Sequence, residues 1–147
     1  MKNWEQQQKE FKIQKEILQT EDDLVIAIEE RLNDKKSYGN LEESQYRNLM
    51  HVADTTESTE VIKNFLRYQL GREKKWGNGK NALAEKIIED IDKKLKQKAD
   101  EIIQKLQCPE KLKFVWLQLT RRYLGYGSRY LKYLKADNNS SKTTQNT

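Results

Sequence analysis

The chain reads as an all-α protein, a bundle of five to seven helices with one long central helix and a disordered C-terminal tail. Three observations carry that reading. Apolar residues recur at helical spacing almost throughout, with no sustained period-two alternation. Hydrophobic and charged residues each make up 35% of the chain, and mean hydropathy is −1.04, which suits long amphipathic helices with much solvated surface. Length completes the argument, because 147 residues suffice for one core. We assign residues 1–136 to a single helical domain and 137–147 to the tail.

The helical period starts loosely at Trp4, Phe11, Ile13, Ile17 and Leu18. Thr20 with Asp23 three residues later predicts a capping box opening a helix through Leu24, Ile28 and Leu32. Ser37, Tyr38, Gly39 and Asn40 break the pattern. The segment from Glu42 to Asp54 places Tyr46, Leu49, Met50 and Ala53 on one stripe. Thr55 to Ser58 then supply turn and cap residues before a helix carrying Val61, Ile62, Phe65, Leu66 and Leu70, with Gly71 a place for it to fray. Two glycines around Asn78 make Trp76 to Gly79 the clearest loop, expected to be a linker or binding loop with Trp76 exposed.

Leu83, Ile87, Ile88, Ile91, Leu95, Ala99, Ile102, Ile103 and Leu106 predict one long two-faced helix, stopped by Cys108 and Pro109. Lys93, Lys94, Lys96 and Lys98 alternate there with Glu89, Asp90, Asp92 and Asp100, a pattern of i to i+4 pairs. Pro109 suits the first position of the next helix, where its missing N–H costs nothing. That helix carries Leu112, Val115, Trp116, Leu119 and Tyr123. Gly125 and Gly127 are expected to interrupt it before a short last helix from Ser128 to Lys135. The Asn-, Ser- and Thr-rich stretch that follows has no large apolar residue to offset its ordering entropy.

Charge is distributed unevenly. Between Pro109 and Lys135 stand seven cations, Lys111, Lys113, Arg121, Arg122, Arg129, Lys132 and Lys135, against one acid, Glu110. Residues 1–108 hold twenty cations against twenty-one acids, so the net charge of +5 originates in one segment. A second basic cluster, Arg67, Arg72, Lys74, Lys75 and Lys80, surrounds Trp76. Arginine and lysine neutralise phosphates, and Tyr68, Trp76, Tyr123, Tyr126 or Tyr130 beside them are placed to stack on unpaired bases or lie against sugars. Neither cluster encodes sequence preference. The bland alternative is that the tyrosines fill the core and their neighbouring cations form a solvated face.

Other chemistry is poorly supplied. A single cysteine, Cys108, leaves no internal disulfide and no zinc cluster, in keeping with a reducing cytosol. No apolar run approaches a membrane span and the first residues lack a signal-peptide core, so the chain reads as soluble and cytoplasmic. The string from Gly71 to Lys80 lacks the preceding strand and following Ser or Thr of a P-loop. The one histidine, His51, lies four residues after Arg47. The pair is similar to the Arg and His of HEPN-type ribonucleases, but only Asn48, Leu49 and Met50 intervene, fewer than that motif has, and Asp54 is nearby. We read it as a helix face, expect no enzyme, and expect neither cofactor nor metal.

The stretch LEESQYRNLMHVADTTESTEVIKNFLRYQLGREKKW, Leu41 to Trp76, resembles the small all-helical subunits of type III CRISPR–Cas effector complexes. The likeness lies in a turn, the polar helix start Ser44 to Asn48, and a helix ending at Phe65 to Arg72, about a quarter of the chain. The resemblance implies a non-catalytic subunit that packs beside copies of itself and other subunits, with basic faces along a duplex of guide and target RNA. Carried over by position, Arg47, Arg67 and Arg72 are the backbone contacts it implies. From charge alone we add Lys74, Lys75, Trp76, Arg121, Arg122, Tyr126, Arg129 and Lys132 as RNA-binding candidates. The competing expectation is a protein-interaction adaptor whose basic segment meets an acidic protein, with no nucleic-acid role.

Overall fold

The computed structural model describes residues 3–145, with side chains through residue 137; of the expected disordered tail, 137–147, all side chains after the first lie outside those described. Among the described residues there is no strand. The α-helical segments are α1 (Trp4–Gln19), α2 (Glu21–Asn33), α3 (Glu43–Thr55), α4 (Thr59–Arg72), α5 (Leu83–Asp90), α6 (Lys96–Leu106) and α7 (Leu112–Gln145). A π-helical turn, Ile91–Leu95, joins α5 to α6, so the expected long helix is one rod with a local widening. None of these helices is long and apolar enough to cross a membrane.

Helix α7 is the hub. It packs on α2, α3 and α6, burying Val115, Leu119, Tyr123, Leu124 and Leu131 against Leu24, Ile28, Leu32, Tyr46, Leu49 and the rod. Gly125 and Gly127 do not interrupt it. Gly127 is buried where α2 and α3 converge, and a Cβ there would overlap the Tyr46 hydroxyl and Ile28. Its glycine admits neighbouring side chains to the helix axis, so it serves packing instead of breaking the helix. The expected last helix from Ser128 is therefore the continuation of α7.

The joint between α1 and α2 also departs from expectation. Thr20 has a helical backbone (φ −90°, ψ −5°) and its hydroxyl donates back to the Ile17 carbonyl at 2.6 Å. It thus terminates α1 and caps nothing in α2 with its side chain. The reciprocal capping box stands at α3, where Glu42 and Gln45 satisfy each other's backbone N–H groups.

The loop after α4 turns inward. Trp76 is fully buried, its ring stacked on Tyr46 with centroids 5.8 Å apart, and its carbonyl accepts from Ala84 N–H at 3.1 Å. This corrects the expectation of an exposed Trp76: the cations on either side of it in sequence face solvent while the indole completes the core. Gly77 (φ +105°) makes the inward turn possible, since any Cβ there would meet the Ser37 carbonyl. The rod is bound to the rest by a buried cluster. Asp90 accepts from Arg31 Nε at 3.0 Å and Arg31 Nη2 at 2.8 Å, and from the Tyr123 hydroxyl at 2.6 Å. At the next residue of the rod, the Trp116 indole N–H donates at 2.8 Å to the Ile91 carbonyl at the start of the π turn.

Candidate nucleic-acid interface

At about 100° per residue, the residues of α7 that face away from the core recur as Gln118, Arg122, Gly125, Arg129 and Lys132. Their outward direction is fixed by the burial of Leu119, Tyr123, Leu124 and Leu131 on the opposite side. Gln118, Arg121, Arg122, Gly125, Tyr126 and Arg129 line a shallow groove of about 450 Å³ whose single acid is Glu21 of α2. Gly125 forms part of its floor, and a Cβ placed there would meet Met50 of α3 at 3.6 Å, an ordinary contact.

Each polar side chain in the groove has a distinct position. The Tyr126 hydroxyl donates to Glu21 Oε2 at 2.6 Å. Burial, then that hydrogen bond, pushes its hydroxyl above the ordinary tyrosine value, partly opposed by Arg122, so it stays a neutral donor. Glu21 is thereby held aside instead of pairing with an arginine. Among the described residues no acid lies within ion-pair distance of Arg122, Arg129 or Lys132. Two arginine forks and an ammonium thus stand without a direct ion-pair partner along one outward strip, an arrangement that can take an extended anion such as a phosphate backbone.

Arg121 belongs elsewhere. Its Nε donates to the Ala53 carbonyl at 2.8 Å and its Nη2 to the Thr56 carbonyl at 2.9 Å. These are orphan carbonyls at the C-terminus of α3, and a guanidinium there both hydrogen-bonds them and complements the helix dipole. Arg121 is therefore a structural clamp, although it borders the groove. Of the seven cations of the segment, three share the outward strip. Lys111 lies over the Phe114 ring at 5.9 Å, Lys113 stands on the first turn of α7, and Lys135 donates to Asn40 Oδ1 at 3.4 Å. The seven cations of the segment therefore do not form one strip: Lys111 precedes α7, the helix turn carries Lys113 and Lys135 away, and Arg121, only about 20° from Lys132 by rotation, is held off by its two carbonyl bonds.

Arg47 is exposed on α3, one turn before Met50, and Arg67, Arg72 and Lys74 are exposed on and after α4. Lys75 is half-buried and its carbonyl accepts from Gly39 N–H at 3.1 Å. No hydrogen bond or ion pair among the described residues joins this second cluster to the α7 groove. Trp76, in the core, and Tyr123, committed to Asp90, have no face available to a ligand. Arg47 and His51 are both exposed on α3 and share no hydrogen bond. No group of three or more His, Cys, Asp or Glu placed to hold a metal ion occurs among the described residues. Two members of the surface were missed in the sequence. Glu21 lies 105 positions before its partner Tyr126, a separation no local pattern reveals. Tyr133, eleven residues after Arg122, was legible once α7 was read as unbroken.

No protein-family model, no curated protein and no solved structure matches the chain.

Proposed function

We propose that this protein is a non-catalytic, RNA-backbone-binding subunit of an RNA-guided effector complex of the type III CRISPR class. The observation that carries the binding part is the outward strip Arg122, Arg129 and Lys132, which has no ion-pair partner among the described residues and is set along a groove whose one carboxylate, Glu21, is held by the Tyr126 hydroxyl. The assignment to an effector complex rests on the resemblance of Leu41 to Trp76 and on the all-helical fold. In this reading the arginines grip phosphates bidentately, the lysine adds a point charge, neighbouring subunits fix the register, and cleavage lies with those neighbours. Exposed Trp4, Phe11 and Leu18 recur every seven residues on α1, a face suited to such neighbours or to another copy of the chain.

The test is a salt titration of RNA binding by wild type and by Arg122→Glu with Arg129→Glu. The wild type should bind with affinity falling as salt rises, and the double variant should bind more weakly, with a salt slope shallower by about two ions. Unchanged binding by the variant removes the strip from the account. Absence of wild-type binding at low salt would instead favour the adaptor reading, for which the exposed face of α1 is the specific support.

A further inference from the structure

The outward strip of α7 carries an aromatic member that the backbone contacts do not use. Tyr133 is 62% exposed, and its ring is stacked on Tyr130 with centroids 5.8 Å apart and planes at 27°. Tyr130 in turn is fixed: it packs against the core and its hydroxyl donates to Asn33 Oδ1 at 2.6 Å at the end of α2. Tyr133 is therefore braced from one side, with most of its surface open to solvent. A braced ring loses little side-chain freedom when a second ring lands on it.

Its position relative to the cations is what gives it a role. At about 100° per residue, Arg122, Arg129 and Tyr133 lie within an arc of about 40° on α7. At a rise of about 1.5 Å per residue, Arg129 follows Arg122 by about 10 Å and Tyr133 follows Arg129 by about 6 Å. Lys132 is adjacent. A chain of phosphates laid on the arginines thus brings its next nucleotide over the tyrosine ring. Tyr68 provides a contrast inside the same protein. It is also exposed, at 59%, and also adjoins an arginine, Arg67, but no ring lies beneath it among the described residues.

We propose that Tyr133 is a stacking platform for an unpaired base, and that the polymer held on this strip is single-stranded nucleic acid. This deepens the proposed function, on which it rests, and departs from the duplex that the resemblance implies. The physical reason is that in a duplex the neighbouring base pairs stack on both faces of every internal base. A duplex laid along α7 offers phosphates to Arg122 and Arg129 but no base face to Tyr133. An unpaired strand offers both, and each stacked base adds a sequence-tolerant contribution that complements the electrostatic grip.

The experiment is fluorescence anisotropy with a labelled oligouridine strand and with the same strand annealed to its complement. It compares wild type, Tyr133→Ala, Tyr133→Phe, Tyr68→Ala, and the double variant Arg122→Glu with Arg129→Glu. Tyr133→Ala should weaken binding of the single strand about tenfold, the weight of one stacked base, and leave duplex binding unchanged. Tyr133→Phe, which keeps the ring, and Tyr68→Ala should both match wild type. An equal loss for both polymers, or no loss for either, overturns the platform. If the arginine variant fails on both polymers while Tyr133→Ala is neutral, the stacking inference falls and the backbone-binding reading stands. If wild type binds neither, both fall together.

Discussion

The α5–α6 rod and the outward strip of α7 are both rich in cations, yet only one of them is electrostatically complete. Every lysine of the rod has an acid at hand: Lys86 with Asp34, Lys93 with Glu89, Lys94 with Asp90, Lys96 with Asp100, Lys98 with Asp23 and Lys105 with Glu16. Lys63 of α4 adds to this region, bridging Glu60 and Asp92 while lying 5.9 Å from the Trp116 ring centroid. Among the described residues, Arg122, Arg129 and Lys132 have no such partner. Cation density alone therefore identifies neither region as a binding surface; what separates them is whether the fold supplies the counter-charge. The rod spends its charge inside the protein, holding α1, α2 and α4 to its sides. The strip leaves its charge for something outside.

The largest effect is expected where the neutralised region is buried. Asp90→Ala leaves the Arg31 guanidinium without its carboxylate and the Tyr123 hydroxyl without an acceptor. Because Arg31 is partly exposed, we expect the low end of the range for a broken buried pair, about 3 kcal/mol. Urea denaturation measures it, and a loss under about 1 kcal/mol would show that solvent already replaces the pair.

Next come two glycines that test how α7 is seated. Gly127→Ala should destabilise by about 1–3 kcal/mol through overlap with Tyr46 and Ile28. Gly71→Ala, near the end of α4 with nothing within 4 Å of its new methyl, should stabilise by about 0.5–1 kcal/mol. Opposite signs at two helical glycines are the signature; a gain at Gly127 would contradict the close approach of α2 and α3 to α7.

The smallest effect separates the two regions by pH. Hydrogen bonds from Lys98 and Lys86 hold the Asp23 and Asp34 carboxyls below the usual range, and its own backbone N–H, then Lys9, does the same for Glu110. All three are depressed by folding, so the stability they contribute is present above about pH 4 and lost as pH falls through their lower folded values. Asp23→Asn with Asp34→Asn should flatten the decline of the melting temperature below about pH 4 relative to wild type. An unaltered acid limb would mean those pairs are solvent-screened in effect.

Much of this was legible in the sequence, and the losses have identifiable causes. Helical periodicity delivered the all-α class and the long rod, since the Leu83 to Leu106 pattern survives the π turn. The i to i+4 lacing of Lys93 and Lys96 was legible because both partners lie on one helix; the pairing of Lys98 with Asp23 was not, being tertiary. Gly125 and Gly127 read as breaks because propensity registers a glycine's cost and cannot register a tyrosine packed against it. Trp76 read as exposed because its sequence neighbours are basic, although a loop can turn one residue inward while its flanks stay wet. Arg121 and Arg122 were indistinguishable in the sequence. One turns to the carbonyls of α3 and the other into the groove beside Tyr126, a difference set by about 100° of helix rotation.

The central claim is that uncompensated charge, not charge as such, makes the surface. It is tested most directly by matched reversals: Arg122→Glu with Arg129→Glu on the strip against Lys93→Glu with Lys94→Glu on the rod, each titrated with RNA across a salt series. The strip variant should lose affinity and salt dependence while the rod variant, equal in net charge, stays close to wild type. Equal losses from the two variants would show that RNA responds only to overall charge, and the distinction between the regions would be wrong.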